Sequence, residues 1–121
     1  MGCKEDPIQI AIVEYLEIKH HYFFSIPNEA IGSGKNNIQA TIRGRHLNQM
    51  GRKKGVADLW VLWSFGVASF IEVKAPKGVQ SKAQKEFQCK IEKQGIHYDL
   101  ARSVDDVIKI EARLKKERQQ T

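Results

Sequence analysis

Asp58, Glu72 and Lys74 are the residues of this sequence whose types and spacing best support chemistry. The runs Asp58–Trp63 and Val67–Lys74 both have strand composition. Between them Ser64-Phe65-Gly66 suits a three-residue hairpin loop with glycine in the left-handed position. In that hairpin Trp60 faces Phe70 and Asp58 faces Glu72, with directly opposed β-carbons about 4.5–5.5 Å apart. Two carboxylates so placed repel each other, and a bound divalent cation is the obvious reason for them to persist. Hard ions such as Mg²⁺ take oxygen ligands, typically one or two carboxylates with water and phosphate. Lys74 lies two residues beyond Glu72 and projects from the same face, about 7 Å along the strand, within reach of a water or a phosphate oxygen. Alternating charges on a solvated strand produce Glu-x-Lys by themselves. Here Phe70, Ile71, Val73 and Ala75 surround the pair with apolar residues, which favours a buried, functional one.

The elements that must position these residues follow from periodicity. Asp6 fits an N-cap and Pro7 the first turn of a helix whose apolar face is Ile8, Ala11, Ile12, Tyr15 and Leu16. Glu5 lies about 60° from the centre of that face, whereas Glu14 points nearly the opposite way. Tyr22–Ile26 is a strand ended by Pro27. A Gly-rich segment follows, with room for a short strand at Ile38–Ile42, and Asp58–Trp63 is apolar enough to be buried on both faces. Ser81 and Gln84 form a capping box for a helix with a buried stripe of Ala83, Phe87 and Ile91, ending at Gly95. A strand at Ile96–Leu100 and a final helix capped by Ser103 complete the order α-β-β-β-α-β-α. That order predicts an α/β fold with a mixed sheet, in one domain over residues 1–121.

Composition narrows the partners. The 121 residues carry 20 Lys and Arg against 14 Asp and Glu, a net charge of +6, which favours a polyanion. The excess is concentrated in Lys35, Arg43, Arg45, Arg52, Lys53 and Lys54, a stretch free of acids. With its glycines it suits a flexible loop making phosphate contacts that position a duplex without reading its sequence. No apolar run is long enough to span a membrane, and the first residues lack the apolar stretch of a secretory signal, so a cytoplasmic protein is expected. Cys3 and Cys89 have neither metal-ligand nor redox spacing and are expected to be reduced. His20, His21 and His46 show no ligand spacing, and His97 sits mid-strand. Trp60 and Trp63 fit a core.

Gly55-Val56-Ala57-Asp58, Phe70-Ile71-Glu72-Val73-Lys74-Ala75-Pro76 and Ser81-x-x-Gln84 together resemble the VRR-NUC family of the PD-(D/E)XK nuclease superfamily. Gly95-Ile96-His97-Tyr98, Arg102-Ser103 and Glu5-x-x-Ile8-Gln9 extend the likeness over nearly the whole chain. Ala57 departs from the superfamily's usual proline, which shapes the backbone and binds no metal. The resemblance implies a restriction-endonuclease-like core and a metal-dependent endonuclease using Mg²⁺ or Mn²⁺, with no organic cofactor. Asp58 and Glu72 would be metal ligands, with the Val73 carbonyl a third and Glu5 contributing directly or through water. Lys74 would orient and help deprotonate the attacking water, Gln84 would lie near the site, and Asn28 would touch substrate. It implies branched DNA as substrate, four-way (Holliday) junctions above all, and a homodimer to make paired cuts. Trp60, Trp63, Phe65 and Phe70, or the last helix through Val107, Ile108, Ile110 and Leu114, are candidate interface residues. A flap or restriction-like nuclease, or a non-catalytic nucleic-acid-binding module, is the alternative.

Overall fold

The computed structural model describes residues 5–27 and 38–120, so Cys3, Asn28 and Lys35 lie outside the described residues. The elements are α1 (Asp6–Ile18), β1 (Tyr22–Ser25), α2 (Ile38–Gln49), β2 (Leu59–Trp63), β3 (Val67–Val73), α3 (Lys82–Lys93), β4 (His97–Ala101) and α4 (Val104–Gln119). The sheet has the order β1-β2-β3-β4. β1, β2 and β3 are antiparallel neighbours, and β4 joins β3 in parallel after α3 crosses over. The architecture is therefore mixed α and β, as expected, with one helix more than the sequence suggested.

Alternation along the strands divides the sheet into two faces. Leu59, Val61, Trp63, Ile71 and Val73 point to one side. There they meet Ile12 and Leu16 of α1 and Val107, Ile110 and Leu114 of α4 in a continuous core. The Trp63 indole donates to Ser69 Oγ at 2.8 Å, which satisfies the one polar atom of that ring. Val107, Ile110, Leu114 and Trp63 thus complete the interior of this chain and are not open for an interface between copies. On the opposite side Phe70 meets Phe87 of α3, which in turn meets Tyr98. Ala83, Phe87 and Ile91 are half-buried there. α3 does not extend over β1 and β2, so Tyr22, Phe24 and Leu62 remain exposed beside a half-buried Trp60 that stacks on Phe24. β2 is therefore covered on one face only, although its sequence is apolar on both.

The basic stretch departs most from expectation. Ile38–Gln49 is a helix, where a loop with a short strand at Ile38–Ile42 was predicted. Its β-branched residues and Gly44 disfavour helix, while Gln39, Ala40, Arg43, Arg45 and Gln49 favour it. The cations are carried outward: Arg43, Arg45, Lys53 and Lys54 are exposed, and Arg52 folds back to donate to Asn48 Oδ1 at 3.1 Å.

A polar network ties the core's end together. His20 closes α1 with a φ of 62°, the left-handed conformation usual at a helix C-terminus, and turns His21 inward. His21 Nδ1 accepts from the Ser64 backbone N–H at 2.9 Å, so its Nε2 carries the proton donated to Glu111 at 2.5 Å. The Tyr15 hydroxyl donates to the other Glu111 oxygen. Burial alone would push the Glu111 carboxyl up, but the bonds from Tyr15 and His21 hold it below its ordinary range. Burial and the Glu111 bond push Tyr15 up to about 12. Glu111 thereby joins α1, α4 and the β2–β3 turn. Glu111→Ala leaves two donors without an acceptor, each costing about 1–3 kcal/mol. Denaturant unfolding should show a loss of about 2–4 kcal/mol, and a loss under about 0.5 kcal/mol would mean the network adds nothing.

Candidate active site

The hairpin has the turn and the register that the sequence predicted. Gly66 adopts a φ of 86° in the three-residue turn, and Trp60 pairs with Phe70. Ladder pairing ends at Leu59 and Ile71, one step before Asp58 and Glu72. Asp58 replaces the missing ladder bond with its side chain: Oδ2 accepts from the Val73 backbone N–H at 2.8 Å. Its own carbonyl accepts from Ile26 N–H at 2.8 Å, so β1 holds it from the other side. Within a strand the N–H and C=O of one residue leave on the same side. The Val73 carbonyl therefore leaves β3 on the edge that faces β2.

Glu72 is 2% exposed, with its Oε2 accepting from Gln84 Nε2 at 2.9 Å and lying 3.8 Å from Lys74 Nζ. Its Oε1 is buried with no hydrogen-bond partner. Burial pushes the Glu72 carboxyl up to about 8, the charge on Asp58 pushes the same way, and Lys74 only partly opposes them. Glu5, half-buried at the start of α1, adds a further weak upward push and so lies near enough to be felt. It occupies the N-cap position that the sequence suggested for Asp6, and it caps nothing with its side chain. Glu14 is exposed.

Gln84 performs both expected tasks at once. Its Oε1 accepts from Ser81 N–H at 2.8 Å to close the capping box, which leaves its amide free to hold Glu72. Gly55 allows this proximity. It has a φ of 79°, and a β-carbon there would lie 2.4 Å from the Ala83 carbonyl carbon. The segment leading to Asp58 therefore lies directly on the first turn of α3.

Asp58, Glu72, Lys74 and Gln84 are thus assembled, with Glu5 nearby. The donors fit a hard divalent cation: a buried carboxylate oxygen lacking a partner and an adjacent carboxylate. Among the described residues no three His, Cys, Asp or Glu side chains cluster closely enough to hold an ion alone. Water or phosphate oxygens must complete such a shell. The sequence did not reveal Gln80, whose amide donates to Tyr98 Oη at 3.0 Å and to Gln88 Oε1 at 3.0 Å. Burial, then the charge on Glu72, pushes Tyr98 up to about 12, which keeps it protonated. The place of Tyr98 opposite Phe70, on the face shared with Glu72, was the available signal.

The VRR-NUC domain family model matches residues 3–105 of the chain. This protein belongs to the VRR-NUC domain family. That is a family of nuclease domains. A solved VRR-NUC domain is 21% identical, with a TM-score of 0.63 over 88% of this chain and 92% of its own. A second solved VRR-NUC domain protein is 20% identical at the same TM-score, over 88% and 83%. These likenesses establish that the chain shares the fold of those VRR-NUC domains. No curated protein matches the chain.

The state of Glu72 gives a pH-dependent test on the VRR-NUC chain without metal. Unfolded, its carboxyl titrates near 4.5; folded, near 8. The unfolded state thus loses the proton first as pH rises, and stability falls from about pH 4.5 until it levels off above about pH 8. Glu72→Gln removes that loss. With chelator present, its gain in Tm over the native chain should be small at pH 5 and largest at pH 8. An equal gain at both values would mean that Glu72 is not protonated in the fold.

Proposed function

We propose that this VRR-NUC protein is a metal-dependent, structure-selective DNA endonuclease that cuts branched DNA, four-way junctions above all. The buried, partnerless Glu72 oxygen beside Asp58 carries the metal-dependent part of this reading. Asp58 and Glu72 would hold Mg²⁺ or Mn²⁺, joined by the Val73 carbonyl and by Glu5 directly or through water. The ion supplies Lewis-acid polarisation of the phosphate and lowers the pKa of an attacking water.

The chain's own residues do the rest. The Val73 N–H fixes the Asp58 carboxylate, and Gln84 fixes that of Glu72, so neither has to reorganise when substrate arrives. Lys74 lies beyond hydrogen-bond distance of Glu72, which leaves its ammonium N–H groups to orient the water and neutralise charge developing on the phosphate. Cleavage in this chemistry leaves 5′-phosphate and 3′-hydroxyl ends. Arg43, Arg45, Lys53 and Lys54 contact phosphates, as would Lys35 and Arg52, with Asn28 reaching the substrate.

Branched DNA with paired strands to cut calls for two sites, and a two-fold dimer supplies them. Exposed Tyr22, Phe24 and Leu62 on the outer strand β1 and its neighbour support an interface there. Cleavage of labelled junction, flap, duplex and single-stranded DNA with Mg²⁺ or Mn²⁺, with sedimentation at micromolar concentration, tests these points together. We expect a dimer that cuts junctions in two strands. Asp58→Asn should abolish cutting but keep DNA binding, and Lys74→Ala should slow it by about 10²–10⁴-fold while Mn²⁺ still binds. Asp58→Asn that still cuts would remove the assigned site, and a monomer that nicks once would leave a flap-type nuclease. Separately, neutralising Arg43, Arg45, Lys53 and Lys54 should weaken binding at every sequence. The log–log salt slope should fall by about 0.9 per lost phosphate contact, and an unchanged slope would show these cations to be solvated only.

A further inference from the structure

Immediately after Lys74 the chain leaves the sheet through residues 75–78, and one side chain holds that turn. Arg102 Nη1 donates to the carbonyls of Ala75 at 2.6 Å, Gly78 at 2.7 Å and Pro76 at 3.3 Å. Three carbonyl oxygens drawn to one point repel one another, and a cation offsets that repulsion. Arg102 is itself fixed. Its backbone N–H donates to Asp106 Oδ2 at 2.8 Å, in the first turn of α4. Its neighbour Ala101 accepts from the Lys74 N–H at 3.0 Å. The end of β4 thus grips both the backbone of Lys74 and the turn that follows it. The turn in its place lies against the lysine stem, because a β-carbon on Gly78 would sit 3.5 Å from Lys74 Cδ. Lys74 is only 8% exposed.

We propose that Arg102 is a positioning residue for Lys74. It gathers the 75–78 turn onto the lysine stem and so sets where the ammonium stands relative to Glu72. The proposal rests on the catalytic role given to Lys74 above. Because all three contacts converge on one nitrogen, whose two hydrogens serve Ala75 and Gly78 with the longer contact to Pro76 shared, the need is for a charged multiple donor rather than a planar fork. Lysine can meet that need, while glutamine lacks the charge.

Arg102→Gln and Arg102→Lys in the full chain test it through two readouts. The first is trace acetylation of the Lys74 amine, read by mass spectrometry against Lys53 and Lys54 of the same molecules. The second is cleavage kinetics with Mn²⁺. Arg102→Gln should raise relative labelling of Lys74 several-fold and lower kcat by about 10- to 100-fold, with KM for DNA nearly unchanged. Arg102→Lys should recover most of both. If Arg102→Gln does not fold, Gly78→Val crowds the Ala75 carbonyl, 3.3 Å from the added β-carbon, disturbs the turn at one of Arg102's own acceptors, and should raise Lys74 labelling in the same way. Unchanged labelling in the folded variants overturns the proposal. So does a raised KM with kcat intact, which would make Arg102 a phosphate contact. A native chain that cuts no DNA would remove the catalytic role of Lys74, and labelling would still decide whether Arg102 seats it.

Discussion

A buried carboxyl beside a second carboxylate is the constraint on which the rest of this structure depends. Taking Glu72 out of water disfavours its charge more than any neighbour does, and Asp58 adds to the effect. Lys74 stands too far away to compensate fully, and Gln84 satisfies only one of the two oxygens. Such a pair persists only where its surroundings over-determine its position. Below it, Leu59, Ile71 and Val73 are locked into the core; around it, Val73 N–H, Gln84 and the close approach at Gly55 leave little freedom. The unfavourable charge arrangement is confined to one end of a well-packed sheet.

The two faces of the hairpin do different work, and their register couples them. Residues 59, 61, 63 and 71 stabilise the fold, while 58, 72 and 74 form the candidate site on the other face. A slip of one residue would exchange these sets, putting apolar side chains at the site and carboxylates into the core. The three-residue turn at Gly66 protects both outcomes together. Selection for a stable core and selection for correctly placed carboxylates therefore act on the same geometric parameter.

What the sequence revealed was local or periodic. The hairpin followed from strand alternation and one glycine, the capping by Gln84 from its spacing to Ser81, and the contrast of Glu5 with Glu14 from helical geometry, while the place of Gln84 beside Glu72 followed only from the family resemblance. What it concealed depended on distant partners or on weak propensities. His21 shows its role only beside Glu111, 90 residues away, and beside the Ser64 N–H. Asp58 bonding Val73 appears only once the ladder is seen to stop one pair early. α2 was hidden because Ile38, Thr41, Ile42 and Gly44 weaken the helical signal. β2 looked buried on both faces because composition records apolarity and not what covers it.

The parallel pairing of β3 with β4 has a consequence for synthesis in the cell. The antiparallel hairpin bearing Asp58 and Glu72 closes over three residues and can form as soon as it emerges. β4 pairs only after α3 has crossed the sheet, a longer closure that is slower to make. Gln84 belongs to that crossover, and Ala101 and Arg102, which hold Lys74 and its turn, come later still. A chain still on the ribosome thus presents its acidic pair with the Val73 N–H on Asp58 but without Gln84 on Glu72. The arrangement around Glu72 and Lys74 is complete only once α3 and β4 have both joined the hairpin.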